Sequence, residues 1–285
     1  MTEGTGDPAP GTPGSVLILG ISADIGRELA LRYLQDGASV IGTYRNSAHL
    51  GELAAHPRAT LLPCDLAEPA SIAAAAGRIA ALRPAWDLLV GIAGTMEPIG
   101  PFLDLDMDAW ERNLRINCFG QLRFLQAVYP QRRPDATAHV MFSAGGGTNN
   151  PFTNYSAYCL SKILLIKMCE LLDDEVPDIN AFIIGPGFVQ TKIHRETLAA
   201  GARAGEGLGK TEAFLQTEGT SFDDIHAHIA WCMAAGRALA GGRNFSTVHD
   251  PWRDGSAALR EALAADPNLF KLRRMAAAPP AAAKG

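Results

Sequence analysis

The sequence predicts an α/β protein in which a single doubly wound parallel sheet carries helices on both faces. Three observations predict it. From Ser15 almost to the end, short β-rich runs alternate with longer helical patterns, and strands joined through helices pair in parallel by right-handed crossovers. The first of these runs passes directly into a glycine-punctuated turn and a helix, "SVLILGISADIGREL", which brings backbone N–H groups and a helix N-terminus toward any anion bound there. A chain of 285 residues, 47% hydrophobic and 19% charged, is long enough for one large domain with a buried core and does not require a second.

The elements follow in order. "SVLILG" reads as a buried strand, "DIGRELALRYLQDG" as a helix ending at Gly37, and "ASVIGTYR" as the second strand. "ATLLPCDL", "WDLLVGIAG", "AHVMFSAGG" and "NAFIIGPG" are further strands, with helices expected over 68–82, 106–132 and 155–175. "GGRNFSTVHD" reads as one more strand and "SAALREALAADPNLFKLRR" as a closing helix. This is a Rossmann-type plan, whose ligands sit beyond the carboxyl ends of the strands. The catalytic domain is expected over 15–275, with a mobile substrate lid rich in Gly, Ala, Glu and Lys near 192–222. Disordered tails are expected at 1–14 and 276–285.

Composition narrows the partners. A net charge of −5 without any Lys/Arg-dense run argues against nucleic acid or an anionic membrane. No stretch approaches the ~20 apolar residues of a membrane span, and the N-terminus lacks a signal-peptide pattern. Five scattered cysteines, Cys64, Cys118, Cys159, Cys169 and Cys232, read as reduced packing thiols of a cytoplasmic protein. His194, His226 and His228 do not cluster with carboxylates at ligand spacing, so no metal is expected. "KILLIKMCELL" is apolar around much of its circumference, which predicts contact with another subunit in a homodimer or homotetramer.

The chemistry centres on "FTNYSAYCLSK". A tyrosine with an ordinary pKa near 10 is a poor base at neutral pH, and a lysine four residues on along a helix shares its face and favours the phenolate. Tyr158 and Lys162 stand at this spacing, whereas Tyr155 has Cys159 at the same offset and reads as packing or pocket lining.

These motifs together resemble the classical short-chain dehydrogenase/reductase family, in order along nearly the whole chain. "LGISADIG" resembles its glycine-rich turn, with Leu19 in place of a threonine and Asp24 in place of the middle glycine. "CDL", "GIAG", "LRINCFG", "SAYCLSK" and "GPGFVQT" match its later motifs. The resemblance implies that a nicotinamide dinucleotide is held by Gly20, Ser22, Asp24, Ile25 and Gly26, by Asp65 and Leu66, and by Ala93 and Gly94. It adds Tyr158 and Lys162, and Pro186, Gly187, Val189 and Thr191.

It also implies a catalytic set of Asn117, Ser143, Tyr158 and Lys162, with Tyr158 as general acid in reduction and general base in oxidation. Ser143 lies fifteen residues before Tyr158, where the family's serine usually lies thirteen before and Gly145 stands here. A bulge in "SAGGGTNN" would bring Ser143 to the substrate oxygen, with Thr148 the substitute donor. Asn117 is either the family's water-holding helix asparagine or a structural one.

The second strand ends at Tyr44 followed by Arg45, with no acidic residue for a ribose 2′-OH. NADP(H) is therefore favoured over NAD(H), Arg45 meeting the 2′-phosphate unless it is a solvated surface residue. The expected substrate is a small polar ketone or secondary alcohol, because Asn149, Asn150, Thr153 and Asn154 crowd the loop before Tyr158. Two other classes remain open, a non-catalytic NADP-sensing protein and a nucleotide-sugar dehydratase or epimerase with tightly held cofactor.

Overall fold

Strand β1 (Ser15–Leu19) is buried along its whole length because it lies inside the sheet, Val16 and Ile18 facing one layer of helices and Leu17 and Leu19 the other. The computed structural model describes residues 12–274. The expected tails fall outside these residues except for 12–14, where Gly14 donates its N–H to the Asp87 carboxylate at 2.8 Å.

The remaining strands are β2 (Ser39–Tyr44), β3 (Ala59–Pro63), β4 (Leu88–Gly91), β5 (Ala138–Ser143), β6 (Ile179–Gly185) and β7 (Asn244–Ser246). They form one parallel sheet of order β3-β2-β1-β4-β5-β6-β7. The order reverses between β1 and β4, which pair Val16 with Leu88 and Leu19 with Gly91, so a crevice opens beyond their carboxyl ends.

Helices α1 (Asp24–Gln35), α2 (Gly51–Ala55) and α3 (Pro69–Leu82) complete the first half. Helix α1 has Asp24 in its first turn and Arg32 in its last, in the sense the helix dipole favours, and Gly37 follows it at φ +95°. The expected helix over 106–132 is divided. Helices α4 (Met107–Leu114) and α5 (Gly120–Val128) flank a π turn at Arg115–Phe119, and Tyr129–Gln131 is a short 3-10 turn. Helix α6 (Ser156–Glu175) matches expectation to within a residue.

The segment read as a lid is largely helical, with α7 (Ile193–Ala200) and α8 (Glu206–Phe214) joined by a 3-10 turn. Helix α9 (Phe222–Ala240) follows, capped by the Ser221 hydroxyl, which accepts the Asp224 N–H at 3.1 Å. The closing helix, α10 (Ser256–Ala265), is shorter than expected. Pro267 disfavours helical geometry at Asp266, which is extended, and the chain leaves the helix there.

The core lies on both faces of the sheet. Phe124, Leu165, Ile166 and Cys169 cover one face with α3, α5 and α6. Leu29, Tyr33, Ile225, Ile229 and Leu259 cover the other with α1, α9 and α10. Among the described residues no helix is long and apolar enough to cross a membrane.

Candidate active site

The crevice at the strand reversal begins with the turn after β1. Gly20 adopts φ +85°, and a Cβ there would lie 2.8 Å from the Ala93 Cα. A Cβ on Gly26 would overlap the Gly20 carbonyl, so both glycines are required for the turn to fold tightly against β4 and start α1. Ser22 and Gly20 line a groove of about 700 Å3, and Asp24 and Ile25 line a neighbouring cleft of about 800 Å3.

The groove carries the residues expected at the adenosine end. Arg45 is exposed there and makes no ion pair among the described residues, and Tyr44, Asp65, Leu66 and Ala93 line it with Arg45. The Asp65 carboxylate accepts the Ala67 N–H at 2.9 Å and a longer contact from Arg112 at 3.4 Å. Leu66 also fixes the π turn. A Cβ on Gly120 would overlap the Leu66 carbonyl, so the helix passes close to this loop only because residue 120 is glycine.

That π turn carries Asn117, which is fully buried. Its Oδ1 accepts the Thr95 N–H at 2.9 Å, and its Nδ2 donates to the Thr95 carbonyl, Asn113 and Ser161. Its main-chain carbonyl accepts the Gln121 amide at 2.6 Å. Asn117 thus ties the loop after β4 to α6.

Tyr158 and Lys162 lie one turn apart on α6 and face the larger cleft, 7% and 4% exposed. The Lys162 Nζ is 5.6 Å from the centre of the Tyr158 ring. Neither the phenol oxygen nor the amine has a hydrogen-bond partner among the described residues, and both polar tips are open to the cleft although the side chains are largely buried. Burial, with the charges of Cys159 and Glu196, pushes the phenol well above its ordinary range, so it carries its proton at neutral pH. Burial pulls the Lys162 amine down to about 8, against the opposing influence of Cys118.

The loop after β5 brings Ser143 and Thr148 to the lining of the cleft that Tyr158 and Lys162 face. Ser143 ends β5 paired with Ile184, and its hydroxyl donates to the Ala144 carbonyl at 3.1 Å. Gly145 faces the phenol. A Cβ there would lie 2.6 Å from the Tyr158 Cζ and closer still to its oxygen. Thr148 donates its hydroxyl to the Gly145 carbonyl at 3.2 Å. Asn149 and Asn150 line the cleft, whereas Asn154 donates to the Arg203 carbonyl and Thr153 lies outside the lining.

Pro186, Gly187, Val189 and Thr191 form the opposite wall. Gly187 takes φ +78°, and the Val189 carbonyl bonds the His194 ring at 3.0 Å. Sequence reasoning missed two residues of the lid, Lys192 and Glu196, which stand where the groove and the cleft meet. The Glu196 carboxylate accepts the Met96 N–H at 2.6 Å and the Thr95 hydroxyl at 3.0 Å, and burial raises its pKa. Tyr155 is wholly buried, stacks on Phe152 and donates to Thr197, so it anchors α7.

The comparisons with known proteins agree with this architecture. The family model described as short chain dehydrogenase matches residues 15–201. Over 200 residues the chain is 32% identical to dehydrogenase/reductase SDR family member 7B of Bos taurus, covering 65% of this chain and 61% of that protein. It is 35% identical over 170 residues to human 17-beta-hydroxysteroid dehydrogenase type 1, covering 55% of this chain and 50% of that one. The match therefore spans less than two thirds of the length of these two relatives. A short chain dehydrogenase of Shigella flexneri solved with NADP superposes with a TM-score of 0.67 at 25% identity, covering 82% of this chain and 96% of that one. The chain belongs to the short chain dehydrogenase family.

Proposed function

We propose that this chain is an NADP(H)-dependent oxidoreductase acting on a ketone/secondary-alcohol pair. The observation that carries the reading is the pair of unpartnered polar tips, the Tyr158 hydroxyl and the Lys162 amine, held one turn apart on α6 and open to the cleft. A donor and a cation fixed on one helix face with their tips free in a cleft are available to a ligand bound there.

The residues fit a nicotinamide dinucleotide. Lys162 has N–H donors free for ribose hydroxyls, the first turn of α1 offers orphan backbone N–H groups beside Ile25, and Arg45 offers an unpaired guanidinium to a 2′-phosphate. The relative from Shigella flexneri was solved with NADP, which supports the phosphate-bearing form. When bound, the dinucleotide supplies or takes up the hydride. In reduction, Tyr158 gives its proton to the substrate oxygen, and the nearby Lys162 charge stabilises the phenolate left behind. In oxidation the same pair runs in reverse.

Asn149 and Asn150 suit a substrate with polar groups beside the reacting carbon. Leu160, Leu164 and Leu171 are exposed on α6, which supports a homodimer or homotetramer built on that helix. Five unpaired cysteines suit a cytoplasmic protein. The test is to follow nicotinamide absorbance with a panel of ketones and to measure NADPH binding by fluorescence. Binding with turnover of at least one ketone is expected. Tight binding without any turnover would favour the cofactor-sensing alternative, and no binding would sink both.

A further inference from the structure

The groove and the cleft are two parts of one crevice, and the residues that line both are Ala23, Gly94, Lys192 and Glu196. Ala23 and Gly94 follow β1 and β4, where the strand order reverses. Lys192 and Glu196 reach across from the other wall to the same two loops. The Lys192 amine donates to the Ser22 carbonyl at 2.9 Å, and the Glu196 carboxylate accepts the Met96 N–H at 2.6 Å and the Thr95 hydroxyl at 3.0 Å. These contacts divide the crevice between its Arg45 end and its Lys162 end. They differ in charge. Lys192 is exposed and cationic, so it favours an anion at this point. Glu196 is half-buried: burial raises its pKa, the neighbouring Glu97 carboxylate raises it further, and no basic side chain pairs with it among the described residues. The next residue, Thr197, is buried and accepts the Tyr155 hydroxyl at 3.0 Å, so α7 is held from behind and the part free to move is the Glu196 side chain.

We propose that Glu196 is a gate on this crevice: in the empty protein its carboxylate closes the passage between groove and cleft, and an anionic dinucleotide enters only when the carboxylate leaves Thr95 and Met96. The proposal rests on the nicotinamide dinucleotide reading above. A ligand that reaches from Arg45 to Lys162 has to cross the stretch that Glu196 closes. Its phosphates carry the same sign as the carboxylate, and like charges set against each other oppose association. When the side chain turns away, the Met96 N–H and the Thr95 hydroxyl are released as donors. Glu196 thus delays entry rather than holding what has entered. Its removal speeds binding, where loss of an ordinary contact residue would weaken it.

The experiment follows NADPH association by stopped-flow fluorescence in the whole chain at about pH 8, above the carboxylate range. Adenosine 2′-monophosphate is the comparison ligand, because it fills the Arg45 end without crossing the division. Glu196→Gln keeps the shape and loses the charge. It should raise the NADPH association rate constant about tenfold and leave the Kd of adenosine 2′-monophosphate within about twofold. Thr95→Val keeps the carboxylate and removes one of its two donors, and it should raise the same rate constant about threefold. Unchanged or slower association in a folded variant, with NADPH bound normally by the unaltered protein, overturns the gate and leaves the dinucleotide reading standing. Equal changes for both ligands also overturn it, since a general change of field would then account for them. Failure of the unaltered protein to bind NADPH overturns the dinucleotide reading and this one with it.

Discussion

The Asp24 carboxylate accepts the main-chain N–H of Lys192 at 2.6 Å, tying the first turn of α1 to the start of α7. The Lys192 amine donates to the Ser22 carbonyl at 2.9 Å from the same side. A residue that breaks the glycine pattern of the turn is thus used to hold the opposite wall.

Asp24→Ala should release this tie. In the ligand-free protein the amide hydrogen of Lys192 is expected to exchange at least about tenfold faster, as fits loss of a hydrogen bond to a charged group, while the strands of the sheet keep their protection. Exchange measured by mass spectrometry over 190–200 reads this directly. Unaltered exchange would mean that α7 is held by Glu196 and Thr197 without this tie.

On the proposed reading, Tyr158→Phe removes the acid and leaves the Lys162 amine in place. Turnover should fall at least about a hundredfold with NADPH affinity nearly unchanged. Steady-state kinetics beside a fluorescence titration separate the two. Retention of more than about a tenth of the rate would move the acid elsewhere.

Arg45→Ala tests the phosphate end. NADPH should bind more weakly by about 1.5–3 kcal/mol while NADH is scarcely affected. Equal loss for both cofactors would leave Arg45 as a surface residue.

His228 gives a pH dependence with a fixed sign. It is fully buried, stacks on Trp252 and bonds Thr247, and burial pushes its pKa down to about 3. Above an ordinary histidine pKa near 6.5 both folded and unfolded chains hold it neutral. As pH falls from there toward 3, the unfolded chain takes up a proton that the folded one refuses, so stability declines, by about 2 kcal/mol at pH 5. Urea midpoints at pH 7 and pH 5 measure this, and His228→Gln should reduce the difference. An identical difference in the variant would assign the acid sensitivity to other groups, with His139, pushed down to about 4, the first to test.

What could be read from the sequence was what depends on local geometry. Alternating strands and helices gave the parallel sheet, and a four-residue offset on one helix placed Tyr158 and Lys162 together, because helical spacing needs no tertiary information. The position of the β5 loop was not legible, since it depends on Gly147 packing against Cys159 and Gly145 against the phenol, both contacts with another element. The π turn arises in the same way, from the approach of Gly120 to Leu66. Lys192 and Glu196 were missed because their partners lie far off in the chain, at Asp24, Ser22, Thr95 and Met96. Helix α9 did carry a signal, Ser221 followed by Asp223 and Asp224, the pattern of a capped helix start.

The strand order also governs how the chain can assemble during synthesis. Every neighbour in the sheet is reached through a crossover, and β1, the first strand made, remains open along one side until β4 emerges to place Leu88 beside Val16. After that, β5, β6 and β7 each add to the outer side of the strand made before them, so assembly follows the order of translation. A nascent chain halted before Leu88 bares Val16, Leu17, Ile18 and Leu19 on an unpaired strand, and such edges join to one another. The interval between translation of β3 and of β4 therefore leaves this apolar edge of β1 open, before any residue of α6 has been made.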